Sequence, residues 1–428
     1  MSNNISMATQ FEFTELEING VNALQVFVSI ELFENIFIGG VTGSVSIFDT
    51  DSLAFIEKND IEFIEEIKFS FKNGEGVELT FEGFMNGLRD EVSGAQKKIY
   101  TIDFTSKSVR ENEMNFINKA FTDQKPEDIV REMVKKLSPD NETIDYGSSS
   151  SSNGEPLTWV AGNRKPLDVI KYVVNHGVSA GKTGASGGDK EDGKSSGTTG
   201  YLFWETLEGY RFCTMDSLIE DEPYDVHDGY QTRVANRSDS TFQEEMKGIL
   251  NYEFPKVGDY FEKLRSGAFM SNLISFNMDT GVLTNFKYEA DDKVVTEKQK
   301  KYVKGTTRNL MRTFTNEKTN SGCEIAIADT GDQSRKFLAQ TITRQNTFCD
   351  TQGRLTLPPQ YQMRAGDHIN IQIAKLKLSD QDESKYSKKH SGKYLISQVG
   401  HHIFRDGRSY TKLAVIRTTT QQNDYTTE

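Results

Sequence analysis

SGKYLISQVGHHIFRDGRSYTKLAVIR, residues 391–417, is the stretch that decides the fold. Two runs of alternating apolar residues flank Asp406-Gly407. Asp-Gly between such runs signals a β-hairpin, because a type I′ turn needs positive φ at both central residues. A two-residue turn there sets Ile403 opposite Tyr410 and Val399 opposite Ala414. Just upstream, RLTLPPQYQMRAGDHINIQI (residues 354–373) places Gly366-Asp367 as a tight turn into another alternating strand.

The same period-two signal fills the first 107 residues. Ile30 and Leu32, then Phe69 and Phe71, then Leu79 and Phe81, then Ile102 and Phe104 alternate with polar neighbours, as half-buried antiparallel strands do. One strand is expected to run from Ile61 to Phe71. Five or six strands in about a hundred residues favour a small barrel or sandwich. Residues 49–60 break the alternation and predict a short helix or ordered loop. The pattern then turns helical. Ile129, Met133 and Leu137 recur at four-residue spacing, with Asp123 as the expected cap and Pro126 near the first turn. A second helix spans residues 166–176, and residues 201–215 form a hairpin. Between these two lies SAGKTGASGGDKEDGKSSGTTG, residues 179–200, too poor in apolar groups to offset the entropy of ordering it. A mobile loop is expected there, and again at the serine run 148–152.

Length and composition suit a multi-domain soluble protein: 428 residues, 36% hydrophobic and 26% charged. No apolar run approaches the length of a membrane helix. The opening residues lack a basic region followed by an apolar run, so no secretory signal is expected. Cys213, Cys323 and Cys349 have no CxxC spacing and read as free thiols. Charge is uneven. Residues 1–105 hold 18 acidic and 6 basic side chains, whereas residues 364–417 hold 11 basic and 5 acidic. Such asymmetry bears on partners rather than on fold.

The Gly-Asp turn, the following strand, a charged insert and the closing hairpin come in an order that resembles the central baseplate hub proteins of T-even-like contractile-tailed phages. It is also similar to the hub-forming part of type VI secretion spikes. Gly366, Asp367, Gly392, Tyr394 and Tyr410 match that pattern. With the turn pair Asp406 and Gly407 they form a fold signature, not a catalytic one. The resemblance implies an α+β, mainly β chain: two tail-tube-like antiparallel β-barrel domains, a mixed α/β domain between them, and an inserted domain. The boundaries expected are 1–107 for the first barrel, 108–215 for the α/β domain, 216–254 with 333–418 for a discontinuous second barrel, 255–332 for the insert, and 419–428 for a flexible tail. The long loop at 179–200 and the charged insert at 376–390 depart from the pattern.

The function so implied is architectural. A homotrimeric ring would adapt a six-fold tail tube, or its initiator, to a three-fold central spike, with baseplate wedge proteins as further neighbours. DNA would pass through without specific binding, and nothing inserts into a membrane. Assembly would take place in the host cytoplasm, and the protein would reside in the virion baseplate. Glu62, Glu66, Glu78 and Glu82 occupy even positions opposite the apolar odd set, so alternation places them together on the non-core face. They are the candidate channel-facing acids, which would repel duplex phosphates rather than trap them.

Chemistry finds little footing. GVSAGKT (residues 177–183) ends like a phosphate loop but has three residues between its glycines where four are needed, and it follows a helix. His401 and His402 are neighbours on a strand and point to opposite faces, so a metal would need one histidine per subunit to converge on a symmetry axis. No GxSxG elbow exists, and no cysteine has a histidine-containing catalytic signature beside it. Among 63 acids no glycosidase pair can be chosen. No cofactor or metal is expected, and no enzymatic activity. Lys385, Lys388, Lys389 and Lys393 make a basic patch that an exposed loop explains as well as DNA binding does. The rival readings are a tail-associated cell-wall hydrolase and a carbohydrate-binding baseplate adhesin.

Overall fold

The computed structural model describes residues 7–94, 97–139, 143–146, 156–179, 198–220, 224–232, 241–258, 260–278, 281, 283–289, 301, 303, 305, 307–314, 348–375, 385–387 and 389–417. Almost all of the expected loop 179–200, most of the insert 376–390, the serine run, Cys323 and the tail 419–428 therefore lie outside the described residues. No described helix is long and apolar enough to cross a membrane.

The chain opens with β1 (Phe11–Ile18), β2 (Val21–Asn22), β3 (Phe27–Asn35), β4 (Thr42–Thr50), α1 (Phe55–Lys58), β5 (Glu66–Asn73), β6 (Glu78–Gly94) and β7 (Lys97–Ser106). A mixed stretch follows: α2 (Lys107–Met114), β8 (Ile117–Gln124), α3 (Pro126–Leu137), β9 (Ile144–Asp145), β10 (Leu157–Arg164), α4 (Pro166–His176), β11 (Val178–Ser179), β12 (Thr198–Thr199), β13 (Tyr201–Thr206), β14 (Gly209–Thr214) and α5 (Met215–Glu220). Then come β15 (Val226–Thr232), α6 (Phe242–Met246), β16 (Gly248–Ile249) and β17 (Asn251–Val257). Next, α7 (Tyr260–Ser266), β18 (Met270–Asn277), β19 (Leu283–Glu289) and β20 (Arg308–Phe314) form a small unit. The chain closes with β21 (Thr351–Leu357), β22 (His368–Gln372), β23 (Gly392–Phe404) and β24 (Ser409–Arg417).

The protein is mainly β. Its largest feature is a 14-stranded mixed sheet. Hydrogen-bonded order runs β16-β15-β22-β23-β3-β4-β7-β6-β5-β1-β2, with β24 joining β23 to β21 and β17 lying beyond β21. Strands expected in two separate barrels are thus edge-joined where β23 pairs antiparallel with β3, from Gln398↔Asn35 to Phe404↔Ser29.

Within this sheet one ladder occurs twice, in the same chain order. β3-β4-β5-β6-β7 is repeated by β17-β21-β22-β23-β24. Glu66, the first residue of β5, pairs with Phe84 on β6. His368, the first of β22, pairs with Leu395 on β23. One residue on, Met85 N–H donates to the Glu65 carbonyl at 2.9 Å, and Ile396 N–H donates to the Asp367 carbonyl at 2.8 Å. A β-bulge follows at once in both, between Met85 and Gly87 and between Ile396 and Gln398. Across the ladder, Phe104 pairs with Gly43 and Val415 with Gly353. Both are glycines at close approaches. A Cβ on Gly43 would lie 2.4 Å from the Glu31 carbonyl oxygen, and one on Gly353 would lie 2.8 Å from the Phe254 ring.

Three sequence expectations are corrected. The closing hairpin pairs Ile403 with Ser409 and Val399 with Leu413, one residue out of the expected register. Gly407 takes φ 85°, whereas Asp406 does not enter positive φ. The loop is therefore three residues, Arg405 to Gly407, with glycine in the left-handed position. Arg405 is occupied elsewhere, its N–H donating to the Val28 carbonyl at 2.9 Å. Secondly, the strand expected from residue 61 starts only at Glu66, because Phe63 has φ 67° and turns the chain. Glu62 is therefore not on a strand. Thirdly, Asp123 does not cap α3. It lies in β8, one residue before the strand's end, at φ 53°, and Lys125 is the residue at the cap, ahead of Pro126.

Burial follows these elements. Phe27, Phe69, Phe71 and Phe104 anchor a core under the first ladder, and Tyr361 and Ile403 enter it from the second. Tyr394, Ile396, Val399 and Val415 lie in the second ladder's core. Helices α3 and α4 pack over β13 and β14 around Phe121, Met133 and Phe212. A fourth cluster draws its residues from all three regions: Ile36 after β3, Trp204 and Cys213 on β13 and β14, and Leu395 on β23.

Candidate functional site: a polar junction between the cores

Beside that fourth cluster lies the densest set of buried charges among the described residues. Glu34 on β3 is 1% exposed. Its Oε1 accepts the Leu207 N–H and its Oε2 the Ala365 N–H, both at 3.0 Å. One side chain thus ties the first ladder to the β13–β14 turn and to the turn before β22. Glu205 on β13 returns the contact: its Oε2 accepts Val41 N–H at 3.2 Å, Ser106 Oγ at 2.5 Å and Ser108 Oγ at 2.6 Å. Burial pushes both carboxyls above their ordinary range, for Glu34 against the pull of Arg364.

Asp367 organises the other side. Arg211 donates to its Oδ1 at 2.8 Å, His227 Nε2 lies 3.0 Å from Oδ2, and the Arg364 N–H donates to Oδ2 at 2.9 Å. Burial alone would raise this carboxyl, but His227 and Arg211 together hold it below the usual range. Arg211 and Trp204 Nε1 both donate to the Ala365 carbonyl at 2.9 Å, and the Arg211 guanidinium stacks on Tyr224. Gly366 between them has φ 96°, and a Cβ there would meet the Trp204 ring at 2.5 Å. The Gly-Asp pair is therefore a joint: glycine admits the tryptophan, and aspartate takes the arginine.

The other sequence-singled residues are dispersed. Gly392 starts β23 at φ 129°. Tyr394 is buried, donates to the His390 carbonyl at 3.0 Å and carries the Arg417 guanidinium on its ring. Asp406 and Gly407 lie at the hairpin tip, and Tyr410 faces His402. Burial drives His401 down to about 3 and His368 to about 4. Glu66, Glu78 and Glu82 are exposed on the non-core face of β5 and β6, and Glu62 is exposed before β5. Cations interleave with them: Lys107 lies 3.3 Å from Glu66 and 2.5 Å from Glu82, and Lys72 lies 3.8 Å from Glu78. Among the described residues no three His, Cys, Asp or Glu side chains gather as a metal site.

Sequence reading missed Glu34, Glu205, Arg211, Arg364 and His227. For Glu34 a signal existed, since it shares strand parity with Ile30 and Leu32 and so points inward.

No protein-family model matches the chain, and no curated protein matches it. Solved structures do. The 43 kDa tail protein of prophage MuSo2 from Shewanella oneidensis aligns with a TM-score of 0.53 at 8% identity, covering 96% of this chain and 99% of that one. A tail protein from Neisseria meningitidis MC58 aligns with a TM-score of 0.56 at 7% identity, covering 97% and 99%. The chain has the fold of a phage tail protein. A looser likeness, TM-score 0.44 at 11% identity, links 97% of this chain to 80% of the E. coli c3393 protein, a component of the type VI secretion system.

Proposed function

We propose that the chain is the structural hub of a contractile phage tail baseplate. Three copies form a ring around a channel for DNA, and each contributes two tube-like units. The upper face then offers six positions to a tail tube or its initiator, and the lower face offers three to a central spike. The observation that carries this reading is the repeated five-strand ladder, with its shared bulge and its edge-to-edge joint. Two equivalent units in one chain are what an adaptor between six-fold and three-fold symmetry requires, and head-to-tail contacts that close make rings. The tail-protein fold supports the same assignment.

In this reading the polar junction is structural. It fixes the angle between the two units and the α/β region, so that every copy presents the same ring geometry. Glu66, Glu78 and Glu82 face the channel, with Lys107 and Lys72 moderating their charge. Cryo-microscopy of assembled tails tests the proposal. Three copies about the tube axis, with the two units of each about sixty degrees apart, are expected from dividing a circle among six positions. Six copies, or a place at the baseplate rim, would overturn it.

A further inference from the structure

The two ladders differ in one respect that identifies a binding edge. In the second ladder, β22 flanks only the start of β23, from Gly392 to Leu395. Past the bulge the same edge of β23 is taken by β3. In the first ladder, β5 flanks β6 only as far as Phe84. Past its bulge, residues 86–94 of β6 pair with β7 alone, and no described strand occupies their other edge. The strand equivalent to β3 is β17, since Glu31 pairs with Ser44 and Glu253 with Arg354 at matching rungs. Among the described strands β17 pairs only with β21, so its second edge is open too.

We propose that β17 of one copy pairs antiparallel with residues 86–94 of β6 in a second copy, in the register that β3 and β23 use within the chain. This deepens the ring reading above and rests on it. Two open edges that do not meet within one chain are satisfied by the next, and main-chain pairing of this kind is a general mode of strand addition. The register is fixed by equivalence. Asp90 pairs with Thr101 as Gly400 pairs with Lys412, and Val92 with Ile99 as His402 with Tyr410. Because Phe33 faces Gly400 and Glu31 faces His402, Lys256 of one copy falls opposite Asp90 of the next, and Glu253 opposite Val92. Asp90 and Lys256 are complementary in charge. Lys256 is held 2.5 Å from Glu262 within its own chain and would be shared between the two acids. The one extra residue of β17 lies in the bulge between Glu253 and Lys256, which contains Pro255, a residue with no N–H to leave unpaired. The intrachain joint also has His402 Nδ1 at 3.1 Å from Glu31. Val92 cannot repeat that bond, so the contact between copies is weaker than the joint it copies.

Disulfide trapping tests the register. Facing Cα atoms in an antiparallel ladder are about 4.5–5.5 Å apart, within disulfide reach, whereas a pair two residues out of register lies beyond it. The full chain carrying Val92→Cys and Glu253→Cys should oxidise at high concentration to covalent multimers ending in a closed ring. Val92→Cys with Asn251→Cys should stay uncrosslinked. Separately, Asp90→Lys should weaken self-association about fivefold, the range of an exposed pair, and adding Lys256→Asp should restore it. Absence of the in-register crosslink, or equal crosslinking of the displaced pair, overturns the strand pairing. If assembled tails still show three copies about the axis, the hub reading survives that failure. If they do not, the hub reading falls independently.

Discussion

The first ladder and the second are built on one register but held by different forces. In the second, the residue before the edge strand is Asp367, 1% exposed and bonded to Arg211 and His227 from two other elements. At the same rung of the first ladder stands Glu65. Its Oε1 accepts the Glu62 N–H at 2.7 Å, three residues back, just as Asp367 accepts the Arg364 N–H. The local turn is the same device in both. Only the second has been wired into a buried ion-pair network. The lesson is that a turn motif sets register, whereas its surroundings decide whether it is also a structural joint.

Breaking the two turns separately should expose this difference most strongly. Asp367→Ala leaves a buried Arg211 without its carboxylate and should cost about 3–5 kcal/mol. Glu65→Ala loses exposed hydrogen bonds and should cost about 1 kcal/mol or less. Calorimetric unfolding of both variants checks the ratio. Equal losses would mean that the network adds nothing to the turn.

Acid should separate the halves next. The first 105 residues contain no histidine, whereas His368, His401 and His402 all lie in the second ladder. A histidine whose folded pKa is depressed contributes stability that is present above its unfolded value of 6.5 and is lost as pH falls toward the folded value. For His368 that window runs from 6.5 down to about 4, and for His401 down to about 3. Full protonation of His368 corresponds to a loss on the order of 3 kcal/mol. Hydrogen exchange at pH 7 and pH 4.5 should show β22–β24 opening before β4–β7. Glu34 acts in the opposite sense. Its folded pKa is raised, so its contribution improves as pH falls from neutrality toward the ordinary value of 4.5. Glu34→Gln should remove that component and make the junction's acid response steeper.

The paired glycines sharpen the comparison at smaller scale. At Gly43 a methyl would meet backbone, the Glu31 carbonyl at 2.4 Å, and the Phe104 ring at 2.3 Å. At Gly353 it would meet only side chains, Phe254 at 2.8 Å and Val415 at 3.0 Å, which can shift. Gly43→Ala should therefore cost about 3 kcal/mol and Gly353→Ala about 1 kcal/mol. Melting of the two variants under one buffer would decide it.

Much of this architecture was legible in sequence because strand parity and turn residues are local. Alternation located β5–β7 and β22–β24, and Gly366-Asp367 announced the turn that the structure contains. The repeat itself was not legible. Its equivalent positions carry unlike side chains, such as Asp90 for Gly400 and Val92 for His402, because one edge faces solvent in this chain and the other faces β3. The polar junction was hidden for a different reason. Glu34, Glu205 and Arg211 come from distant segments, and among 63 acids and 50 bases no local rule selects them. Burial of a charge is a property of what packs on it, which only the tertiary structure supplies.

The smallest expected shift, that of Asp406→Gly, concerns the hairpin from which the sequence reading began. Asp-Gly predicts a two-residue turn, yet the loop has three residues, and positive φ falls on Gly407 alone. Asp406 instead uses its side chain: Oδ1 accepts the Arg408 N–H at 3.1 Å, and Oδ2 accepts Arg408 Nε at 2.7 Å. Gly407→Ala must place a Cβ at φ 85° with open space around it, so the cost is conformational rather than steric, about 1–2 kcal/mol. Gly407→Asn should cost less, because asparagine enters the left-handed region more readily. Asp406→Ala should cost about 1 kcal/mol through the lost backbone bond. If the turn were type I′, Asp406→Gly would stabilise the hairpin by relieving a second positive φ. With only one such position, that substitution should instead destabilise it slightly. Thermal melts of Asp406→Gly and Asp406→Ala distinguish the two turns by the sign of a single shift.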